Sequence, residues 1–183
     1  SRFVNWELRD TAILFADGAG ACVLQSAEGE GGLLATHLGS DGGAGSILGV
    51  SQGGWRYRLT PEHVKEDPLR IHMDGRELFK RAVNNMRESC EIVLRKAGFT
   101  AADVDLFVPH QANARIIEAV RERMVVPPEK VVVNIDHTGN TVAASIPIAL
   151  HEARMAGRVN EGDLILFGAF GAGLTWGAAL VRW

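Results

Sequence analysis

Three short segments of the chain carry groups that are able to activate a carbonyl group. Residues 109–113 contain His110, residues 134–141 contain Asn140, and the small residues at 168–173 leave backbone amides accessible. An imidazole N–H and a carboxamide N–H aimed at one carbonyl oxygen would stabilise an enolate. The carboxamide of Asn140 keeps its protons, whereas the imidazole of His110 has to stay neutral to serve this role.

Each segment also has an ordinary structural interpretation. A histidine at the end of a strand is often only a hydrogen-bonding group of the fold, and an asparagine before a helix often caps it. Residues 168–173 also fit a glycine-containing hairpin turn. The chemical interpretation is favoured because the three segments follow successive predicted strands at the same, C-terminal edge of a sheet, so that their side chains can converge on one cleft.

Other chemistries lack support in the sequence. The two cysteines form no CxxC motif and no closely spaced Cys/His cluster, so no metal site is predicted. Cys22 is placed within an apolar strand and Cys90 on the inward stripe of a helix, so both are interpreted as inert core thiols. The chain matches neither the GxGxxG nor the P-loop pattern, so NTPase chemistry has no support.

The composition indicates a globular protein. The chain has 183 residues, of which 46% are hydrophobic and 22% charged, enough to bury a core. The net charge of -3 provides no overall positive field, so binding to nucleic acid is not expected. No apolar run approaches the ~20 residues that cross a bilayer. The first residues also lack the apolar stretch of a secretion signal, so a cytoplasmic protein without membrane contact is expected.

The elements that must position the three segments are predicted from apolar periodicity. Residues 39–74, which precede the first long predicted helix, are expected to form an irregular insertion that includes Trp55, Tyr57 and His72. Glycines at 17–20 are expected to permit a bulge or a close backbone approach. Strands are predicted at residues 11–25, 33–38, 105–108, 130–133, 164–169 and 174–183. Helices are predicted at residues 78–97, 111–124 and 141–155.

This order of elements predicts an α/β fold with a largely parallel mixed sheet and crossover helices. The helix at 141–155 is almost without a polar side until His151, and such a helix must be covered on all sides. A second layer, supplied by another chain or by a missing half, is therefore predicted against its outer face. The alternative is a small, Ala-rich helix that is half exposed on a monomer.

Four segments in order resemble the type III ketoacyl synthases of the thiolase superfamily: LFADGAGA at 14–21, VPHQAN at 108–113, GNT at 139–141, and residues 168–177. The resemblance covers nearly the whole chain, and its tail looks like the natural C-terminus of that family. It implies a thiolase-like α/β half, with a mixed five-stranded sheet, crossover helices and one helix buried between the layers of the full αβαβα fold. Residues 1–183 are then the C-terminal domain, with the insertion at about 39–74, and the N-terminal, Cys-bearing half is absent.

The activity implied by the resemblance is a decarboxylative Claisen condensation. The family joins an acyl-CoA starter to malonyl-acyl-carrier-protein and so initiates fatty-acid synthesis; both substrates carry a phosphopantetheine arm, and no cofactor is implied. Because the nucleophilic Cys of the family lies in the N-terminal half, this chain alone is expected to be inactive. The implied partners are the acyl carrier protein, a coenzyme A thioester, the N-terminal half and, in the full protein, a second copy of it.

The resemblance also assigns site residues. His110 and Asn140 match the catalytic pair, Phe170 matches the aromatic residue that guards the carboxylate to be expelled, and the backbone N–H of Ala172 matches an oxyanion donor. Ala172 departs from the glycine that is commoner at this position, but it keeps the N–H. The remaining matches are substrate contacts at Asn113, Gly75 and Phe79, and carrier-protein contacts at Lys80 and Arg115.

Two other functions stay open on the sequence. A relative on the same scaffold could form an ester, or start a polyketide or a quinolone, although the presence of both His110 and Asn140 favours carbon–carbon condensation. The chain could also be a non-catalytic module that associates with itself or binds a carrier protein.

Overall fold

The computed structural model describes residues 2–26, 28, 29, 31–50, 60–62 and 69–183. Trp55 and Tyr57 lie outside the described residues. The helices are α1 (Arg9–Ala12), α2 (Gly75–Ala97), α3 (Ala114–Met124), α4 (Ile135–Thr138) and α5 (Ser145–Met155). The strands are β1 (Gly32–Ser40), β2 (Leu48–Val50), β3 (Ile71–Met73), β4 (Leu106–Pro109), β5 (Leu164–Gly171) and β6 (Thr175–Arg182). Within the described residues, no helix is both long enough and apolar enough to cross a bilayer.

The main sheet is mixed and has the strand order β1-β6-β5-β4. Strand β4 runs parallel to β5, whereas β6 runs antiparallel to both β5 and β1. The α/β class with a mixed sheet is therefore confirmed, but the prediction of a largely parallel sheet is wrong. The reason is the tight turn between β5 and β6, since two strands joined by a hairpin can pair only antiparallel.

Both faces of this sheet are covered by helices. Phe107, Leu164 and Leu166 point to one face and join the core with α2 and α3, while Leu106 and Ile165 point to the other and pack with α5. This alternation follows from the two-residue period of a strand. Because both faces are buried, the predicted strand sequences read as continuous apolar runs.

Helix α2 is the long amphipathic helix that the sequence predicts. Asp74 caps its start by accepting a hydrogen bond from the Glu77 N–H, and Gly98 ends it in the left-handed conformation, with φ of 78°. Both are the usual signals of helix ends. The helix lies close to β5 at Gly168, where a Cβ atom would come within 2.8 Å of the Cys90 sulfur. A side chain at position 168 would therefore push the helix away from the sheet.

The predicted strand at 11–25 is not formed. Helix α1 occupies its beginning, and Phe15 makes one parallel bridge to Asn140, after which residues 16–26 have no strand conformation. A strand needs a hydrogen-bonded neighbour, and apolar sequence alone does not supply one. Cys22 is accordingly exposed, so its interpretation as a core thiol is wrong, while Cys90 is buried as expected.

The close backbone approach predicted at 17–20 does occur, against helix α5. A Cβ atom at Gly20 would lie 2.4 Å from the Pro147 ring, and one at Gly18 would lie 3.0 Å from Ile148. This segment therefore contacts the outer side of α5, whose inner side buries Ala149 and Ala153 against the sheet. Val142, at the start of the same apolar run, remains 57% exposed, so a further covering layer stays a prediction.

Two other predicted regions are only partly regular. The strand at 130–133 is reduced to one parallel bridge between Val131 and Phe107, because the chain leaves the sheet edge within two residues. The main sheet therefore has four strands in the described residues, and this single bridge at the edge of β4 replaces the predicted fifth strand. The insertion at 39–74 contains a short two-stranded sheet of β2 and β3 in its described part, with His72 on β3.

Candidate active site

A cavity of about 230 Å³ opens where the C-terminal ends of β4 and β5 meet the start of α2. Its walls are mostly apolar, and its polar side chains are a histidine and two asparagines. Such a lining, with few convergent polar groups, is typical of a small-molecule site. Seven of the nine predicted site residues line it: Gly75, Phe79, His110, Asn113, Asn140, Phe170 and Ala172.

His110 follows β4 directly and is fixed at both its backbone and its ring. Its backbone N–H donates to the carbonyl of Gly168 at 2.8 Å, which continues the pairing of β4 with β5. Its ring Nδ1 lies 2.6 Å from the hydroxyl oxygen of Ser145, at the start of α5. The ring thus has one nitrogen held by the protein and the other, Nε2, available to the cavity.

Burial lowers the pKa of His110 to about 4, because the charged imidazolium loses its hydration there. Its hydrogen-bond partner Ser145 is neutral, so this partner does not compensate for that loss. The imidazole is therefore uncharged at neutral pH. The neutral form is the one that His110 must have if it is to donate a hydrogen bond to a carbonyl oxygen.

Asn140 is held by hydrogen bonds on three sides. Its backbone N–H donates to the carbonyl of Leu14, and its carbonyl accepts the N–H of Ala16, both at 2.9 Å. Its side-chain Oδ1 accepts the N–H of Val142 at 2.9 Å. The amide nitrogen Nδ2 is 3.5 Å from the Ala112 carbonyl, which leaves its second hydrogen for a ligand in the cavity.

The turn around Asn140 has an unusual backbone on both sides. Gly139 has φ of 68° and ψ of -174°, a conformation that side chains disfavour, and a Cβ atom there would lie 2.8 Å from Ala16 Cβ. Val142 has a positive φ of 54°, which is rare for a β-branched residue. Strained backbone that the surrounding structure maintains is a common feature of functional sites.

Phe170, near the end of β5, and Ala172, in the turn between β5 and β6, both line the cavity. The Phe170 ring is 6% exposed and stacks on Trp176 of β6, with ring centroids 6.2 Å apart. Residues 172–174 connect the two antiparallel strands, so the hairpin interpretation of this segment and its place on the cavity both hold.

Asn113 and Phe79 also line the cavity. The Asn113 carboxamide oxygen accepts the N–H of Arg115 and so caps α3, which makes the side chain both a structural cap and a cavity residue. The Arg115 guanidinium lies 5.9 Å from the Phe79 ring centroid. Lys80 and Arg115 do not line the cavity; both are exposed, on the helices α2 and α3 that border it.

The sequence prediction missed several contributors to the site, of which three support the polar residues most closely. Leu14 and Phe15 line the cavity, and Ser145 contacts His110. The signal for Ser145 was a single polar residue inside the apolar run at 142–150, and the run was interpreted as apolar throughout. Leu14 and Phe15 begin the LFADGAGA segment that carries part of the family resemblance, but they were not predicted as cavity residues, because their position depends on the pairing of Phe15 with Asn140, 125 positions later.

Gln111, next to His110, connects the two loops. Its side chain is fully buried, its amide nitrogen donates to the carbonyls of Pro109 and Val132, and its oxygen accepts the N–H of Asn134. All three of these bonds are 3.0 Å or shorter. The loop that carries His110 is thus fixed to the segment that leads to Asn140.

The arrangement is able to stabilise negative charge on an oxygen atom in the cavity. A neutral imidazole and a carboxamide line one mostly apolar space, where hydrogen bonds to a developing charge are stronger than in water. Neither cysteine lines this cavity, and burial raises the pKa of the Cys90 thiol. The cavity therefore contains donors but no thiol nucleophile from the described residues.

Known family models match both ends of the chain. Residues 94–183 match the model described as 3-Oxoacyl-[acyl-carrier-protein (ACP)] synthase III C terminal, and residues 1–42 match that of 3-Oxoacyl-[acyl-carrier-protein (ACP)] synthase III. These regions include His110 and Asn140 as well as the Leu14–Ala16 segment that holds Asn140.

Curated relatives extend the similarity over the whole chain. It is 48% identical over 183 residues to the Beta-ketoacyl-[acyl-carrier-protein] synthase III of Roseiflexus sp. (strain RS-1) and 49% identical to that of Symbiobacterium thermophilum. All of this chain is covered, but only 56% of either relative, so the chain spans about half the length of the curated relatives it matches.

A solved structure shows the same fold. The crystal structure of 3-oxoacyl-[acyl-carrier-protein] synthase III from Aquifex aeolicus VF5 superposes with a TM-score of 0.89 at 48% identity, covering 99% of this chain and 54% of that one. The fold is that of one thiolase-like half, as the sequence resemblance implies. Two models of one family and relatives nearly half identical over all 183 residues together show that this chain belongs to the 3-oxoacyl-[acyl-carrier-protein] synthase III family.

Proposed function

We propose that this chain is the C-terminal, donor-bearing part of an enzyme that condenses an acyl-CoA starter with malonyl-acyl-carrier-protein. The observation that carries the proposal is that His110 and Asn140, one after β4 and the other after the Val131 bridge, line the same cavity with N–H groups available. The names of the relatives agree with this activity.

In the proposed reaction, the malonyl thioester carbonyl oxygen accepts hydrogen bonds from His110 Nε2 and Asn140 Nδ2. The bond to the malonyl carboxylate breaks, carbon dioxide leaves, and the electron pair forms an enolate whose charge lies on that oxygen. The enolate carbon then attacks an acyl thioester held by a Cys of the N-terminal part, a new carbon–carbon bond forms, and the Cys thiolate is released. Removing one such donor typically lowers the rate by about 10²–10³.

The cavity wall suits the group that is expelled. The Phe170 ring, fixed by its stacking on Trp176, presents an apolar surface beside the donors. A carboxylate against such a surface is poorly hydrated, whereas carbon dioxide is uncharged, so decarboxylation relieves the desolvation cost. The N–H of Ala172 is proposed to donate to the acyl thioester oxygen, together with the N–H of the nucleophilic Cys.

The proposal requires a second part of the protein. None of the described residues brings a thiol to the cavity, so the chain alone is proposed to be inactive in condensation. Exposed apolar side chains at Val23 (93%) and Leu24 (92%) support coverage by further protein, because isolated apolar segments of this kind are costly in water. We propose the Cys-bearing N-terminal half as that cover, within a cytoplasmic homodimer.

The experiment is to reconstitute the activity from parts. The chain is mixed, or coexpressed, with the proposed N-terminal half from the reading frame that contains this chain. The release of radiolabelled carbon dioxide from malonyl-carrier protein is then measured. Decarboxylation well above the level of either part alone is the expected result. No gain, from a mixture that size-exclusion chromatography shows to be associated, would contradict the proposal; a discrete stable dimer of this chain alone would favour the non-catalytic module.

Carrier-protein binding is proposed at the exposed cations beside the cavity. Lys80 lies on the first turns of α2, next to the cavity residue Phe79, and acidic carrier proteins are attracted by such charges. We expect Lys80→Glu to raise KM for malonyl-carrier protein several-fold. The matched control is Lys96→Glu, which reverses an exposed charge at the other end of the same helix; equal effects of the two variants would argue against a local contact.

A further inference from the structure

The contact between His110 and Ser145 is the shortest hydrogen bond to a ring nitrogen among the described residues. Ser145 is 2% exposed, and its Oγ lies 2.6 Å from His110 Nδ1. The same oxygen accepts the backbone N–H of Gln111 at 3.2 Å. In the part of the chain that the structure describes, Ser145 Oγ has no other hydrogen-bond partner.

These contacts determine where the hydroxyl proton goes. A serine oxygen has one proton to donate, and here one of its lone pairs is already occupied by the Gln111 N–H. If His110 Nδ1 also carried a proton, the oxygen would receive two donors, and its own buried proton would be left without an acceptor. Leaving a buried donor unpaired is unfavourable, so the hydroxyl donates to an unprotonated Nδ1.

We propose that Ser145 is a positioning residue that fixes His110 as the tautomer protonated at Nε2. The neutral ring has a single proton, and with Nδ1 acting as an acceptor that proton must be on the nitrogen left to the cavity. The consequence for catalysis rests on the proposed function, because it makes His110 the hydrogen-bond donor that the enolate requires. The tautomer itself can be measured without any substrate.

A serine suits this role better than a carboxylate would. A carboxylate beside Nδ1 would accept a proton from it and would stabilise the imidazolium, as in the hydrolytic triads. The neutral hydroxyl instead donates, so it selects the opposite tautomer and adds no negative charge. It also joins two parts of the site, because Ser145 begins α5 while His110 and Gln111 both follow β4.

The chain offers a matched control for removing such a hydroxyl. Ser89 is also fully buried, and its Oγ lies 3.1 Å from Nδ1 of another histidine, His37, away from the cavity. Ser89→Ala therefore removes a buried serine–histidine hydrogen bond without touching His110. Ser145→Thr keeps a hydroxyl at the site and serves as the conservative variant.

The experiment is ¹⁵N NMR of the complete protein encoded by the reading frame that contains this chain, labelled at histidine, at neutral pH. Wild type and Ser89→Ala are expected to show His110 with a pyridine-type Nδ1 and a pyrrole-type Nε2. Ser145→Ala is expected to mix the two tautomers, and to lower kcat for malonyl decarboxylation roughly tenfold at unchanged KM, less than loss of an oxyanion donor itself. Ser145→Thr is expected to restore both the spectrum and the rate.

The outcomes separate the two proposals. A pyrrole-type Nδ1 in wild type would overturn the inference, and this spectrum decides the matter even if Ser145→Ala fails to fold. An unchanged spectrum and rate in folded Ser145→Ala would overturn it as well. The expected tautomer with no loss of decarboxylation in His110→Ala would leave the role of Ser145 in place and contradict the proposed function instead.

Discussion

Two histidines of this chain, His110 directly after β4 and His137 on the short helix α4, have opposite surroundings. His110 faces the cavity, and among the described residues its ring is hydrogen-bonded only to a serine hydroxyl; burial lowers its pKa to about 4. His137 faces solvent, with Nδ1 3.0 Å from Asp136 and Nε2 3.2 Å from Glu152, and hydrogen bonds to these carboxylates raise its pKa. The surroundings thus favour the neutral imidazole at His110 and the protonated imidazolium at His137.

The polar groups at the cavity and those at the solvent-exposed side differ in the charge of their hydrogen-bond partners. At the cavity the partners are neutral: Asn140 is hydrogen-bonded to backbone groups, and His110 to Ser145. The solvent side has ionic partners instead. A neutral, desolvated donor is useful for stabilising an oxyanion, whereas an exposed pair of charges contributes little to chemistry or stability.

The largest expected effect is on the rate of malonyl decarboxylation in the complete protein. Replacing His110 or Asn140 by Ala removes one donor to the developing oxyanion, so each variant is expected to lose about 10²–10³ in kcat. His137→Ala, a histidine outside the cavity, is expected to change kcat less than about twofold. A radiolabel assay under saturating malonyl thioester measures all three; a similar loss in His137→Ala would break the comparison.

The second effect is the separation of the two histidine titrations. NMR is expected to show His110 neutral down to about pH 4 and His137 titrating above its ordinary pKa of 6.5. In the window from pH 6.5 to 4, the unfolded chain binds a proton at His110 that the folded chain refuses, so the free energy of unfolding falls with falling pH. His137 acts in the opposite sense, since its stabilisation is present at low pH and lost as pH rises through its folded pKa.

Replacing the buried imidazole of His110 should reduce the fall in unfolding free energy at acid pH. In His110→Gln the decline of stability between pH 6.5 and 4 is expected to become shallower. His137→Gln is expected to leave that decline nearly unchanged and to act above pH 6.5, where it removes the loss of stability that accompanies deprotonation of His137. Urea unfolding at a series of pH values measures both slopes. Identical slopes in wild type and His110→Gln would show that burial of this imidazole has no energetic consequence.

The third effect concerns the backbone turn that presents Asn140. Gly139→Ala places a Cβ atom 2.8 Å from Ala16 Cβ in a conformation that disfavours side chains, and is expected to cost about 2 kcal/mol in unfolding free energy. Gly98→Ala is the control, because Gly98 also has a positive φ, of 78°, but its Cβ would meet nothing within 4 Å; about 1 kcal/mol is expected there. Equal losses would mean that the contact with Ala16 is easily relieved.

The smallest effect separates strain at the site from strain elsewhere. Val125 and Val142 both have positive φ, 58° and 54°. Val125 caps the C-terminus of α3 and does not line the cavity, whereas the Val142 N–H donates to Asn140 Oδ1. Changing either to Gly is expected to raise stability by about 1 kcal/mol, because glycine tolerates this conformation. Only Val142→Gly is expected to reduce decarboxylation, by a few-fold; a loss in both would contradict a local role.

Local sequence signals predicted much of this fold. The apolar stripe and the terminal Gly98 of α2 gave its extent to within three residues, and the residue types at the strand ends identified the segments that meet at the cavity. The predictions failed where a neighbour far along the chain decides the outcome. Residues 16–26 are apolar enough for a strand but pair with none of the described strands, and the short β4 keeps only one bridge to Val131.

Several residues that line the cavity were predicted from their types, but the contacts that support them were not. His110 and Asn140 were recognisable because both follow predicted strands, whereas the bond from Ser145 to His110 joins residues 35 positions apart and depends on how α5 packs. Cys22 was misplaced for the same reason, since an apolar neighbourhood in sequence does not ensure burial.

The central claim is that His110 and Asn140 donate to one carbonyl oxygen. The direct measurement is infrared difference spectroscopy of the complete protein with a ¹³C-labelled, unreactive malonyl thioester analogue, in which a sulfonate replaces the carboxylate. Wild type is expected to shift the labelled carbonyl stretch to lower frequency than in water, and His110→Ala and Asn140→Ala are each expected to reverse part of that same shift. A carbonyl frequency that either substitution leaves unchanged, with the analogue still bound, would contradict the account.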